Sequence, residues 1–227
     1  MREPWYKRNP ELAKEISADL RVAHPNLHLF IHTDGMAEVR GTYAILSPQG
    51  KLLDRFRVSI ELPHDYPRAL PIVREVGRRI PWRQDFHVEP DGKACVLLPD
   101  DRWRCFPEGK PFAHFLDGPV HDFFLGQSLV ALGEEWPFGE WSHGPRGVLE
   151  YYQGLLETDH DGTVHRFLRI LSKLNLKQHC ECPCGSGRKI RKCCQKRVAD
   201  LRRKIPPAVA RKACERLGLT RRFGGIV

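Results

Sequence analysis

The chain has 227 residues, 41% hydrophobic and 29% charged, which is globular composition with room for one ordinary domain and a small appendage. No run approaches the roughly 20 apolar residues of a membrane span, and Met1-Arg2-Glu3-Pro4-Trp5-Tyr6 lacks the apolar core of a secretory signal, so a cytoplasmic protein with no membrane partner is expected. The net charge of +9 is segregated: residues 175–227 hold 15 Lys/Arg against 3 Asp/Glu, while residues 1–174 hold 22 against 25, dividing the chain into a slightly acidic domain (1–174) and a basic tail (175–227).

A first helix is predicted over 9–23. Asn9 is a good cap, Pro10 suits the first helical position, and Leu12, Ile16 and Leu20 form one stripe. Leu27, Leu29 and Ile31 alternate with His28, Phe30 and His32, the pattern of a strand. Asp34-Gly35 signals a hairpin, a second strand covers 36–46, and Ser47-Pro48-Gln49-Gly50 turns the chain again. In the third strand Phe56, Val58, Ile60 and Leu62 face one way, and Arg55, Arg57, Ser59 and Glu61 the other. That is one buried and one wet face, as in an antiparallel sheet. A fourth strand is placed at 70–76, and a long loop, 77–94, delivers Cys95. Helical periodicity then returns over 119–132, 147–157 and 163–174. The order predicts an α+β fold, with an N-terminal helix, a four-stranded antiparallel meander, an active-site loop and C-terminal helices covering one sheet face.

Cys95 lies in Pro90-Asp91-Gly92-Lys93-Ala94-Cys95-Val96-Leu97-Leu98. A cysteine acts as a nucleophile through its thiolate, and Lys93 and His87 are close enough in sequence to lower its pKa. Upstream stand Leu62-Pro63-His64-Asp65-Tyr66-Pro67 and Pro71; Trp103 follows. A strand, a Tyr-Pro turn, a further proline, then Gly-x-x-Cys and Cys-x7-Trp: this layout resembles the ubiquitin-conjugating enzymes over about residues 9–157. The resemblance implies that Cys95 carries a protein C-terminus as a thioester and passes it to an amine. Where the eukaryotic family has His-Pro-Asn, this chain has Asp85, Phe86 and His87, so His87 stands at the asparagine's place and is the candidate oxyanion donor. The missing triplet is similar to bacterial relatives, some found in antiphage operons. The resemblance implies a donor with an activated C-terminus, either a cyclic-oligonucleotide synthase or a ubiquitin-like protein. It also implies a separate activating enzyme if adenylation is needed. Cys105, beyond Trp103, is the rival nucleophile. His114, His121 and His143 read as structural histidines that could also approach the site, and Trp103 and Trp141 as packing residues.

Five of the eight cysteines fall between 180 and 194, too tight for ordinary disulfide geometry in a charged tail. Cys182-Pro183-Cys184-Gly185-Ser186-Gly187, a basic stretch, then Cys193-Cys194 is similar to the SEC-C knuckle. Cys182, Cys184, Cys193 and Cys194 are the expected ligands of a structural Zn2+, with Cys180 as a spare. Arg188, Lys189, Arg191 and Lys192 would offset the site's negative charge. Two other functions stay open: a catalytically idle adaptor of the same fold, or a nucleic-acid-binding protein using the basic tail. The bland reading of that tail is a solvated basic helix.

Overall fold

Asn9 does what its place before a proline suggests. Its side chain accepts the Leu12 N–H at 3.3 Å, starting helix α2 (Pro10–Ala23). A short helix α1 (Trp5–Arg8) precedes it and buries Trp5. The computed structural model describes residues 3–139, 142 and 144–219. The chain divides into two units, Met1–Gly139 and Glu140–Val227.

The first unit is built on a four-stranded antiparallel sheet in the order β1 (Leu27–Ile31), β2 (Ala37–Leu46), β3 (Leu52–Leu62), β4 (Ile72–Glu75). The register places Leu29 opposite Val39, Val39 opposite Ile60 and Ile60 opposite Val73. This apolar row faces the core. The period of two puts His28, Arg40, Ser59 and Arg74 in the adjacent row on the other face. Phe56, Val58, Ile60 and Leu62 are all buried, as the alternation predicts.

Beyond the Cys95 loop come short helices α3 (Arg102–Cys105) and α4 (Phe112–Phe115), a π-helical turn over Leu116–Val120, and α5 (His121–Ala131). Pro119 within the π turn has no N–H to give the ladder, which accounts for the wider turn before α5. Helix α5 packs on β2 and β3. Phe124 stacks on Phe56 at 4.7 Å and lies 5.7 Å from Tyr43, centroid to centroid. The Tyr66-Pro67 bond is cis. Tyr66 is buried edge-on to Trp5 at 5.3 Å, and the Arg102 guanidinium donates to the carbonyls of Pro67 and Arg68. The proline turn and the segment carrying Trp103 are thus tied together.

The second unit holds α6 (Pro145–Leu156), α7 (Asp161–Leu171), a cysteine-rich loop, α8 (Gln195–Lys204) and α9 (Pro207–Arg216). Of the helices expected to cover the sheet, α6 and α7 belong to this unit. The reason is their apolar stripes: Val148, Tyr152 and Leu156 of α6, and Val164, Phe167 and Leu171 of α7, are buried with Val198, Leu201, Ala210 and Ala213 of α8 and α9. Charge changes along the chain at about 174, while packing changes at 139. Part of the tail's charge is structural. Arg197 donates to the carbonyl of Leu156 at 2.6 Å, and Arg202 to those of Lys173 and Leu174 at 2.7 and 3.1 Å. The first is the last carbonyl of α6, and the other two lie in the segment just beyond α7. Among the described residues, no helix is long and apolar enough to cross a membrane.

Candidate functional site

The loop that delivers Cys95 is held by main-chain bonds. Buried Glu75, closing β4, accepts the N–H groups of Gly77 and Arg79 at 2.7 and 2.9 Å. The chain then makes a small hairpin. Glu89 N–H donates to Lys93 O at 2.8 Å, Gly92 N–H to Glu89 O at 2.9 Å, and Cys95 N–H to His87 O at 2.8 Å. Its second arm joins β4 through an Arg74–Lys93 bridge and an Ala94 N–H to Val73 O bond of 2.8 Å. Gly92 is required twice over. Its φ is +80°, and a Cβ there would meet the Trp82 ring at 2.9 Å. Trp82 itself is 51% exposed.

Cys95 is exposed. Its Sγ donates to Glu89 Oε1 at 3.7 Å. The thiol pKa is pushed up to about 11, first because the sulfur is partly shielded from water, then by the charges of Glu89 and Asp91. This corrects the expectation that Lys93 and His87 lower it. The Lys93 ammonium is engaged at 2.7 Å by Asp91, and that ion pair holds the Asp91 carboxyl below its ordinary range. His87 sits at φ +52° and fixes Cys95 through its carbonyl. Its ring lies 4.3 Å from Trp136, tilted at 37°, with Nε2 buried. The imidazole expected at an oxyanion hole is therefore packed against an indole. Trp136 also covers Gly126 of α5, where a Cβ would clash with its ring at 2.5 Å.

Cys105 is half-buried and donates to Asp101 Oδ2 at 3.3 Å. Burial and Asp101 push its pKa up to about 11. His114 stacks on Phe106, and His121 faces Asp122 at 3.5 Å. Trp103 is half-buried. Trp141 and His143 lie outside the described residues.

In the second unit, Cys182, Cys184, Cys193 and Cys194 bring their sulfurs within 4.8 Å of one another. Cys184 Sγ lies 3.4 Å from Cys182 Sγ and 3.6 Å from Cys193 Sγ, and Cys193 and Cys194 are 3.8 Å apart. A tetrahedral zinc with Zn–S bonds of about 2.3 Å needs S···S edges of about 3.8 Å. The donor set fits. The local fold is a two-residue ladder: a Glu181–Lys189 bridge, with Cys182 N–H donating to Arg188 O at 2.8 Å. Gly185, at φ +84°, turns the chain directly after Cys184, at the start of the segment that leads to Cys193. Cys194 stands at the cap position of α8. Arg188 reaches Cys193 Sγ at 3.2 Å, and Ser186 Oγ lies 3.3 Å from the same sulfur. The Cys184 thiol is pulled down to about 6, chiefly by the Ser186 hydroxyl. Cys180 is half-buried and falls outside this four-sulfur group. Four thiolates would close the shell around a zinc, leaving it a structural role, with no position for substrate.

The charged contact to the sulfur, Glu89, was missed by reading along the chain, as were Trp82 and Trp136. A glycine in mid-helix at 126 was the one sequence signal for the last of these. No family model and no curated protein matches the chain. Among solved structures, the chain is similar to one described as "A complex of the Vps23 UEV with ubiquitin", at 15% identity over 57% of this chain and 92% of that one, with a TM-score of 0.25.

Proposed function

We propose that the chain is an acyl carrier of the ubiquitin-conjugating kind, with Cys95 as its nucleophile and a structural zinc on Cys182, Cys184, Cys193 and Cys194. The observation that carries this reading is the exposed Cys95 thiol on a hairpin arm pinned by its bonds to Val73 and His87. A carrier needs a sulfur that a foreign carbonyl can reach and that does not wander.

The chemistry follows from the site. An activated C-terminal carbonyl meets the sulfur. The S–C bond forms, the donor's leaving group departs, and the thiol proton passes to Glu89, which already accepts it as a hydrogen bond. An amine then attacks the thioester. The C–N bond forms, the sulfur leaves, and the amine's proton is lost to a base. His87 acts as a positioning residue through its carbonyl, since its ring is engaged by Trp136. The proposed donor is a cyclic-oligonucleotide synthase of an antiphage system or a ubiquitin-like protein, activated by a separate enzyme. Family resemblance alone supports that choice of donor.

The test is an adduct. Incubated with donor and activating enzyme, the full chain is expected to gain the donor's mass in a form removed by thiol reductant. Cys95→Ser should give an adduct that resists reductant. An adduct retained by Cys95→Ala, or none formed with any such donor, would leave the adaptor reading in its place.

A further inference from the structure

The solvent face of the sheet carries a feature that acyl transfer does not use. Residues 1–174 sum to a slight negative charge, yet this face collects cations. Arg40 on β2 and Arg55 and Arg57 on β3 are all exposed. Two carboxylates share the face, and each has its own partner: Glu38 pairs with His32 at 2.9 Å, and Glu61 with Arg74 at 3.4 Å. Among the described residues, no acid lies within ion-pair distance of Arg40, Arg55 or Arg57.

Charges on edge strands guard against sheet-to-sheet pairing. Arg40 lies on β2 between β1 and β3 and guards no edge. Arg55 and Arg57 precede the pairing of β3 with β4, which begins at Val58, but their carbonyls are already taken by the Arg79 guanidinium and the Val76 N–H. Each also faces a small residue across the ladder: Arg40 opposite Ser59, Arg57 opposite Thr42, Arg55 opposite Ala44. The floor between the guanidinium groups is therefore shallow and open.

The track continues into aromatics. His28 lies in register with Arg40. Phe30, two residues on along the same face of β1, is 46% exposed and sits edge-on to the His28 ring at 6.5 Å. A diagonal line thus runs across three strands, from Phe30 and His28 through Arg40 to Arg57 and Arg55. Guanidinium groups in line suit a chain of phosphates. Exposed rings at one end suit bases, which stack on any aromatic face whatever their sequence. An acidic peptide would use the arginines but would leave the rings idle.

From this arrangement we infer that the outer face of the sheet binds single-stranded nucleic acid, with Arg40, Arg55 and Arg57 on phosphates and Phe30 and His28 against bases. The site uses neither Cys95 nor any residue of the basic tail, and it stands whether or not the sulfur carries an acyl group.

The test uses the full chain and a fluorescein-labelled 12-nucleotide oligothymidylate or oligouridylate, read by anisotropy across a salt series. Each phosphate contact on a single strand contributes about −0.7 to the slope of log affinity against log salt. Arg40→Ala/Arg57→Ala should therefore make that slope shallower by about 1.4 and weaken binding at least tenfold near 50 mM salt. Phe30→Ala should weaken it about fivefold or more, the lower end for one stacked base. All three side chains are exposed, so the thermal midpoint should hold. Arg211→Ala/Lys212→Ala in α9 should leave affinity nearly unchanged. Three results would overturn the inference. One is no binding to either oligonucleotide at 50 mM salt. Another is binding lost in the α9 variant but intact in Arg40→Ala/Arg57→Ala. The third is a polyglutamate peptide that binds as tightly while Phe30→Ala has no effect, which assigns the face to an acidic protein.

Discussion

Sulfur chemistry divides the molecule's two units. In the first, one exposed thiol stands beside carboxylates, Glu89 and Asp91, and the nearest cation in sequence, Lys93, is turned to Asp91. In the second, four thiols converge and are met by donors, the Arg188 guanidinium and the Ser186 hydroxyl. The same residue type is held protonated in one place, while in the other the Ser186 hydroxyl pulls Cys184 and Cys193 down and burial pushes Cys182 and Cys194 up. A metal site needs thiolates permanently. A carrier sulfur needs its proton removed only when an acyl group arrives, and a thiol kept protonated resists stray alkylation and oxidation meanwhile.

The largest test of this contrast is on the second unit. A structural zinc contributes on the order of 10 kcal/mol to small zinc-organised folds. Metal analysis of the purified chain should find one zinc, and Cys184→Ser should lose it. The helices of the second unit should then melt early by calorimetry, while the transition belonging to the sheet unit persists. If both transitions fall together, the two units do not have the separate stabilities the contrast requires. An unchanged zinc content in Cys184→Ser would remove the metal centre itself.

The four-cysteine cluster was legible because it is local. Its sulfurs come from Cys182–Cys194, and Gly185 and Gly187, which turn the chain, are in the same run. The sheet was legible for a similar reason, since alternation along Phe56, Val58, Ile60 and Leu62 fixes which face is buried. The surroundings of Cys95 were not. Lys93 is two residues away but is drawn off by an ion pair, while Glu89, farther along the chain, returns to the sulfur because the hairpin pairs it with Lys93. Neighbourhood in sequence misjudged the sign of the electrostatics. The ring over His87 comes from Trp136, on a segment that periodicity assigns to nothing. The apolar stripes of α6 and α7 announced burial without naming the partner.

A middle-sized effect probes how rigidly the first unit holds its sulfur. Gly92→Ala places a Cβ 2.9 Å from the Trp82 ring on a backbone of φ +80°. Strain at such a position and the steric overlap together should cost about 2–3 kcal/mol, read as a lower urea midpoint for the sheet unit. Trp82→Ala in the same chain removes the collision and leaves the backbone strain, so it should recover only about half of that loss. A wild-type midpoint in Gly92→Ala would mean that the turn is not what fixes Cys95.

The smallest effect bears most directly on the contrast. Glu89→Gln keeps the side chain's shape and removes its charge. A nearby carboxylate disfavours the thiolate, so its removal must lower the Cys95 pKa from about 11. Loss of one adjacent like charge is worth about one unit, which raises the thiolate fraction at pH 8 about tenfold. Alkylation by iodoacetamide, followed against pH by mass of the Cys95 peptide, should show the midpoint moving down by that amount. It should not reach the value of a free cysteine, because shielding of the sulfur from water is the larger cause of the shift and survives the substitution. Asp91→Asn should move the midpoint less, since Lys93 already answers that carboxylate at 2.7 Å and Asp91 is the smallest of the causes that raise the Cys95 pKa. A profile identical to wild type in Glu89→Gln would place the whole shift on shielding, and Glu89 would lose its claim to the thiol proton while the carrier reading stood on exposure alone.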